Sequence, residues 1–172
     1  VYRSLRSSGV SLPKGLALRC ATSAGEPLTP EVNEWASDAL GVLVHDHYGQ
    51  TEAGMLVNNH HHPLVARPIR DRSMGHEMPG WKAVILHDDR DEERGPGELG
   101  RLAMRLAESP LAWFDSYEGD TAKSAEKITA DGRYYLTGDT ALIDAEGYIT
   151  FSARDDDVII MAGYRIGPFE VE

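Results

Sequence analysis

The sequence predicts an α/β fold in which a strand–helix–strand unit precedes a strand-rich section. Apolar residues alternate over residues 16–20 and form a short run over residues 42–44, and both patterns are typical of strands. Between these runs, apolar side chains recur at helical spacing at Val32, Trp35, Ala36, Ala39 and Leu40. One face of the helix can therefore pack on a sheet, and strands joined in this way are usually parallel.

The helix has clear end signals. Thr29 suits the N-cap, Pro30 suits the first helical position, and Glu31 favours the positive end of the helix dipole. Gly41 follows the last apolar residue and is typical of a helix C-terminus.

The second half of the chain predicts short strands over residues 82–87, 99–106, 134–136, 141–143 and 148–151. Residues 144–147 form a turn signal, so the last two strands are expected to be antiparallel. The polar residues 88–97 predict an exposed loop. The Gly-rich pattern over residues 95–100 contains Pro96 and leads into a strand, so we interpret it as a hairpin turn rather than a dinucleotide site.

Composition excludes several classes. The chain has 172 residues, which suggests one domain, and its net charge of −11 argues against nucleic acid as a partner. No apolar run reaches the length of a membrane span. Cys20 is the single cysteine, so it has no partner for an internal disulfide; we expect it to be buried, in a reducing, cytoplasmic setting. The chain starts without Met, and we expect it to be an internal fragment.

Residues 48–54 (YGQTEAG) combine groups that suit a nucleotide at the end of a strand, where ligands dock in α/β sheets. The Tyr48 ring can stack on a base, the Thr51 hydroxyl can donate to a phosphate, and Glu52 can bind Mg²⁺. Gly49 and Gly54 let the backbone approach a ligand. The alternative is a tight turn with a solvated Glu52.

Three further segments extend this pattern, at residues 23–28 (SAGEPL), 134–139 (YYLTGD) and 154–168, which begins RDDDVI and ends GYRIGP. Together with residues 48–54, they resemble, in order, the motifs of the adenylate-forming (AMP-binding) enzyme superfamily. Gln50 and residues 165–172 are similar to those of acetyl- and medium-chain acyl-CoA synthetases. One departure is Ala153, where the family usually has Gly.

The resemblance implies a fold and a reaction. Residues 1–155 would be the C-terminal part of the large N-terminal domain, with a barrel-like subdomain, and residues 156–172 would be the hinge and start of the C-terminal lid domain. The enzyme would convert a carboxylic acid and ATP to acyl-AMP and pyrophosphate, and then use CoA to give acyl-CoA and AMP. Its cofactors would be ATP/AMP, Mg²⁺ and coenzyme A.

The resemblance also assigns residues. Adenine would be bordered on one side by Gly25, Glu26 and Pro27 and on the other by Asp46, His47 and Tyr48. Gly49 and Gln50 would also bind the cofactor. Thr51 would bind a phosphate, Glu52 would hold Mg²⁺, and Arg165 would approach the phosphate or acyl group. Asp139 and Arg154 would bind the ribose. Asp156 would be the hinge, and Ala162, Gly163 and Tyr164 would line the CoA path.

Other interpretations stay open at this point. The chain could come from an aryl-acid ligase or a peptide-synthetase adenylation domain, or be a non-catalytic nucleotide-binding protein. The histidines at positions 45, 47 and 60–62 could bind a metal, but residues 60–62 are expected to be solvated. The family's phosphate loop and C-terminal lysine are not in this sequence, so we expect the fragment alone to be inactive. Its sheet edges should be exposed or pair with a second copy, as in a homo-oligomer.

Overall fold

The computed structural model describes every residue except Lys14, Pro27 and residues 155–158, 162–163 and 167–172, and only the backbone of residues 159–161 and 164–166. In chain order the elements are α1 (Tyr2–Ser8), β1 (Ala21–Ala24), α2 (Pro30–Leu40), β2 (Val44–Gln50), β3 (Gly54–Asn58), β4 (His76–Glu77), β5 (Ala83–Leu86), β6 (Leu99–Arg105), a 3₁₀ helix (Leu106–Glu108), α3 (Thr121–Ala125), β7 (Tyr134–Ile143), β8 (Ile149–Arg154), β9 (Ile159–Met161) and β10 (Tyr164–Ile166).

The strand–helix–strand unit is confirmed. β1 pairs in parallel with β2, and α2 connects them. α2 begins after Thr29, carries Pro30 in its first turn and ends at Gly41 in a left-handed conformation. Val32 and Ala36 are buried against the sheet, whereas Ala39, at the end of the predicted stripe, is exposed.

Two details of this unit were predicted wrongly. The first strand is Ala21–Ala24 and not residues 16–20, where Leu16 and Leu18 are each 42% exposed and Cys20 is exposed as well. Alternation alone does not place a strand, because its position is set by the partner. β1 lies where Ala21 comes opposite Val44, the buried start of β2.

β2 is also longer than the predicted run of residues 42–44. It has β1 on one side and β3 on the other, so it lies inside a four-stranded sheet of order β1-β2-β3-β4. Pairing with β1 as far as His47 and with β3 from His47 onward holds its polar second half, Asp46–Gln50, in extended form. Residues 48–54 therefore end a central strand and form the hairpin turn to β3, rather than a loop after the strand.

The strand-rich section forms a second four-stranded sheet, of order β5-β6-β7-β8, and all of its pairs are antiparallel. The strands predicted over residues 134–136 and 141–143 are one strand, β7, with a register shift between Thr140 and Ala141. The predicted turns are confirmed, since residues 87–98 connect β5 to β6 and residues 144–148 connect β7 to β8.

The two sheets share one core. Leu56 and Val57 of β3 pack in the same buried cluster as Leu102, Met104 and Ile149 of the second sheet. Main-chain hydrogen bonds also join the sheets: Met74 N–H donates to Ile149 O at 2.9 Å, and Ile149 N–H donates to Gly75 O at 2.8 Å. This packing brings the end of β2 alongside the middle of β7.

The proposed domain boundary falls on residues 155–158, which lie outside the described residues, so the division into residues 1–155 and 156–172 stays a prediction. After it, β9 and β10 pair as an antiparallel hairpin. None of the helices in the described ranges has the length and hydropathy needed to cross a membrane.

Candidate nucleotide site

The site is built where β2 meets β7. The Tyr48 hydroxyl donates a hydrogen bond to Asp139, a residue 91 positions away in the sequence. Gln50 Nε2 donates to Asp139 Oδ2 at 2.9 Å and to Thr137 O at 2.7 Å, and Gln50 Oε1 accepts from the Tyr135 hydroxyl at 2.9 Å. Two of the predicted motifs are therefore joined through side chains.

A bend in β7 aims Asp139 at β2. Thr137 Oγ1 donates to Leu102 O at 2.7 Å and accepts from Asp139 N–H at 3.2 Å, in place of regular strand pairing. Gly138 adopts a φ of 81° between them, a conformation that favours glycine. The pairing of β6 with β7 shifts register at this point, which is typical of a β-bulge beside a functional site.

Asp139 is held in an unusual electrostatic environment. It is 7% exposed, and this burial raises the pKa of its carboxyl group. Hydrogen bonds from Tyr48 and Gln50 and the positive charges of Arg154 and Lys127 oppose that increase in pKa. Burial also raises the pKa of Tyr48 well above its usual range, so its hydroxyl stays a neutral donor.

Arg154 lies at the end of β8, directly opposite Asp139 in the β7–β8 register. Its side chain is exposed, and its charge reaches the Asp139 carboxylate. The predicted ribose pair is therefore brought together.

Glu52 lies in the turn between β2 and β3. Its Oε1 accepts a hydrogen bond of 2.5 Å from the Tyr117 hydroxyl, and this bond is the main reason that the pKa of Glu52 is lowered. Thr51 is exposed in the same turn. Gly49 is required here, because a Cβ atom at that position would lie 2.3 Å from Gly54 O across the hairpin.

The segments expected to border adenine are also adjacent. Ala24 is opposite His47 in the β1–β2 register, so the turn with Gly25 and Glu26 lies beside the second half of β2. Asp46 is 7% exposed and accepts from Leu28 N–H at 3.5 Å and His47 N–H at 3.2 Å. Burial raises the pKa of Asp46 to about 6.

The histidines are less solvated than predicted. His61 stacks on His45 with ring centroids 3.6 Å apart, and His60 Nε2 lies 3.2 Å from Glu77 O, while His62 is exposed. The loop folds back on β2, which the polar sequence did not indicate. Among the described residues, no group of three or more His, Cys, Asp or Glu side chains is arranged to hold a metal ion.

Sequence reasoning missed two residues of this site, Tyr117 and Lys127. Tyr117 follows a segment without periodicity. Lys127 Nζ donates to Thr137 O at 3.3 Å, and its charge acts on both Glu52 and Asp139. Neither residue lies in a recognisable motif, so only the fold reveals their proximity to the carboxylates.

The remaining predicted residues cannot be placed as side chains. Pro27, Asp156, Ala162 and Gly163 lie outside the described residues, and Tyr164 and Arg165 are described only as backbone in β10.

Comparisons with known proteins identify the family of the chain. A family model described as AMP-binding enzyme matches residues 6–108, more than half of the chain. An uncharacterized acyl-CoA ligase of Bacillus subtilis, YtcI, is 45% identical over 156 residues, which cover 91% of this chain and 28% of that protein.

Two solved structures extend the likeness. The Brucella canis acyl-CoA synthetase has a TM-score of 0.78 at 46% identity, over 99% of this chain and 30% of its own. The O-succinylbenzoate coenzyme A synthetase of Bacillus subtilis, solved with ATP and magnesium ion, has a TM-score of 0.77 at 25% identity, over 99% of this chain and 33% of its own. The chain thus spans about 28% to 33% of the length of these proteins. It belongs to the family of AMP-binding enzymes.

Proposed function

We propose that this chain forms much of the nucleotide site of an AMP-forming acid–thiol ligase of the acyl-CoA synthetase type, which uses ATP and CoA. The observation that carries the proposal is the hydrogen-bonded group of Tyr48, Gln50 and Asp139, which joins two separate motifs at one place. The similarity to acyl-CoA ligases and synthetases supports the reaction type.

Adenosine would bind along the second half of β2. The Tyr48 ring and the backbone of the neighbouring turn, with Gly25 and Glu26, would flank the base, and Asp46 would fix that turn through Leu28 N–H. Tyr48 and Gln50 both donate to Asp139 Oδ2, so Oδ1 is the oxygen that can accept from ribose hydroxyls. Arg154 would lie beside the ribose as well, since it is opposite Asp139 in the β7–β8 register.

The phosphates would lie toward the β2–β3 turn. Thr51 can donate to a phosphate oxygen, and the positive charge of Lys127 acts on both carboxylates. Arg165 would approach the phosphate or acyl group, where its planar fork suits an anion.

Glu52 fits Mg²⁺ on chemical grounds. Its lowered pKa keeps it ionised at neutral pH, and Tyr117 uses Oε1, which leaves Oε2 for a cation. Mg²⁺ in such enzymes takes one or two carboxylates together with substrate phosphates and waters, so one glutamate is sufficient. When bound, the ion would reduce the repulsion between the incoming carboxylate and the triphosphate.

The second half-reaction is also part of the proposal. Acyl transfer to the CoA thiol would follow rotation about Asp156, with Ala162, Gly163 and Tyr164 along the CoA path. We further propose a role in fatty acid metabolism and a cytoplasmic location, the latter because the single Cys20 is a free thiol.

The test is an acid-dependent pyrophosphate release assay on the full-length protein with fatty, aromatic and amino acids, followed by CoA consumption. We expect release with fatty acids and conversion to acyl-CoA. Pyrophosphate release only with amino acids or aryl acids would contradict an acyl-CoA synthetase and indicate another adenylate-forming enzyme. No release with any acid would refute adenylation. The chain alone should show no turnover.

A second measurement tests the metal assignment. We expect Mg²⁺ to strengthen the binding of a non-hydrolysable ATP analogue to the full-length protein, and Glu52→Gln to abolish that gain. Glu146→Gln is the matched control, since Glu146 is an exposed partner of Arg70 in the β7–β8 turn. Unchanged Mg²⁺ dependence in Glu52→Gln would remove Glu52 from the site.

A further inference from the structure

Tyr117 reaches Glu52 from a separate part of the chain. It lies 65 positions after Glu52, between the 3₁₀ helix and α3, and its hydroxyl is 2.5 Å from Glu52 Oε1. A hydrogen bond to a charged carboxylate at this distance is a strong orienting contact.

The backbone at Tyr117 is fixed by the start of α3. Asp120 caps that helix by accepting from Lys123 N–H at 2.9 Å. Ser124 Oγ accepts from Tyr117 N–H at 2.8 Å and donates to Asp120 O at 2.6 Å. One turn of helix therefore anchors the loop that carries the tyrosine.

Two side chains contact the Tyr117 ring. Phe114, which packs on the main core, makes an edge contact with the ring at a centroid distance of 5.1 Å. Lys123 Nζ lies over the ring, 4.9 Å from its centroid. The hydroxyl that donates to Glu52 therefore belongs to a residue whose backbone and ring both have partners.

We propose that Tyr117 is a positioning residue for Glu52, which fixes the carboxylate through Oε1 so that Oε2 stays available to the metal ion of the bound nucleotide. This inference rests on the proposed function. Groups that orient a metal-binding side chain commonly change metal affinity or activity by about 10- to 100-fold when they are removed.

The experiment separates positioning from a merely structural contact. In the full-length protein, the affinity for a non-hydrolysable ATP analogue is measured by calorimetry in EDTA and in saturating Mg²⁺, and the ratio gives the metal-dependent gain. We expect Tyr117→Phe to lower this gain by roughly 10-fold and to leave the affinity in EDTA within about twofold of the wild type. Adding Tyr117→Phe to Glu52→Gln should have no further effect on the gain.

Two further variants serve as a control and as a second test. Tyr148→Phe is the control, because it also deletes one tyrosine hydroxyl, which donates to Pro68 O at 2.8 Å outside the site; it should leave the gain unchanged. Ser124→Ala removes the acceptor of Tyr117 N–H, and it should lower the gain severalfold even if Tyr117→Phe fails to fold.

The outcomes distinguish the two claims. If Tyr117→Phe and Ser124→Ala both keep the Mg²⁺-dependent gain of the wild type, the positioning role is overturned but the proposed function is not. Equal losses in EDTA and in Mg²⁺ show a structural contact and also overturn it. A wild-type protein that shows no Mg²⁺-dependent gain refutes the metal assignment of Glu52, and the inference falls with it.

Discussion

Asp46→Asn should stabilise the protein at neutral pH. Asp46 is 7% exposed, and burial raises the pKa of its carboxyl group from 3.8 to about 6. An increase of about two units corresponds to about 3 kcal/mol of unfavourable free energy when the group is ionised in the folded state. The neutral amide avoids this penalty, although it replaces one of the two acceptor oxygens, which costs about 1 kcal/mol.

The sign and the pH window follow from the raised pKa. The folded state prefers the protonated acid, so the contribution of Asp46 is fully favourable below pH 3.8 and is lost as pH rises through about 6. At pH 4.5 about 1 kcal/mol of the penalty is present, and at pH 7.5 nearly all of it. The stability advantage of Asp46→Asn should therefore grow by about 2 kcal/mol between these pH values.

Urea denaturation of wild type and Asp46→Asn at pH 4.5 and 7.5 measures this difference. A control of opposite sign is Asp131→Asn. Hydrogen bonds from Thr129 and Arg133 lower the pKa of Asp131 to about 2, so its contribution is present above pH 3.8 and this variant should lose stability at pH 7.5. An advantage of Asp46→Asn that stays constant or shrinks with rising pH would refute the reasoning.

Two further substitutions test the geometry of the site. Gly49→Ala should lower the free energy of unfolding by at least about 2 kcal/mol, since its Cβ would lie 2.3 Å from Gly54 O; a melting temperature equal to that of the wild type would contradict this packing. Gln50→Leu should cost about 3 kcal/mol, because it leaves Thr137 O and the Tyr135 hydroxyl without Gln50 as their partner, and should weaken ATP binding; calorimetry and urea denaturation check both effects.

The sequence was sufficient where a local signal and a tertiary requirement coincide. α2 has a cap residue, a first-turn proline, an apolar face and a terminal glycine, and all of these appear in the structure. The bounds of β5 and β6 were predicted to within a residue, since their apolar side chains are buried in the sheet, whereas β7 was predicted as two strands.

The sequence was insufficient where a partner decides the outcome. Residues 16–20 alternate like a strand, but they have no place in the sheet, whereas the polar end of β2 is extended because it pairs with β3. Tyr117 and Lys127 show the same limit at the site. Tyr117 reaches Glu52 from a segment 65 positions away, and the charge of Lys127 acts on Glu52 and Asp139 from outside the predicted motifs.

The two central carboxylates have the same kind of hydrogen-bond donor. Asp139 and Glu52 each accept a hydrogen bond from a tyrosine hydroxyl, Tyr48 and Tyr117, and the carboxylates in turn help to raise the pKa of these tyrosines, to about 12 for Tyr117. The donors therefore stay neutral across the physiological range. A lysine or arginine in either place would have added one more positive charge to those of Lys127 and Arg154 and would have offset more of the carboxylate's charge. A neutral donor fixes the direction of the group and adds no positive charge, which suits the ribose hydroxyls that we propose at Asp139 and the cation that we propose at Glu52.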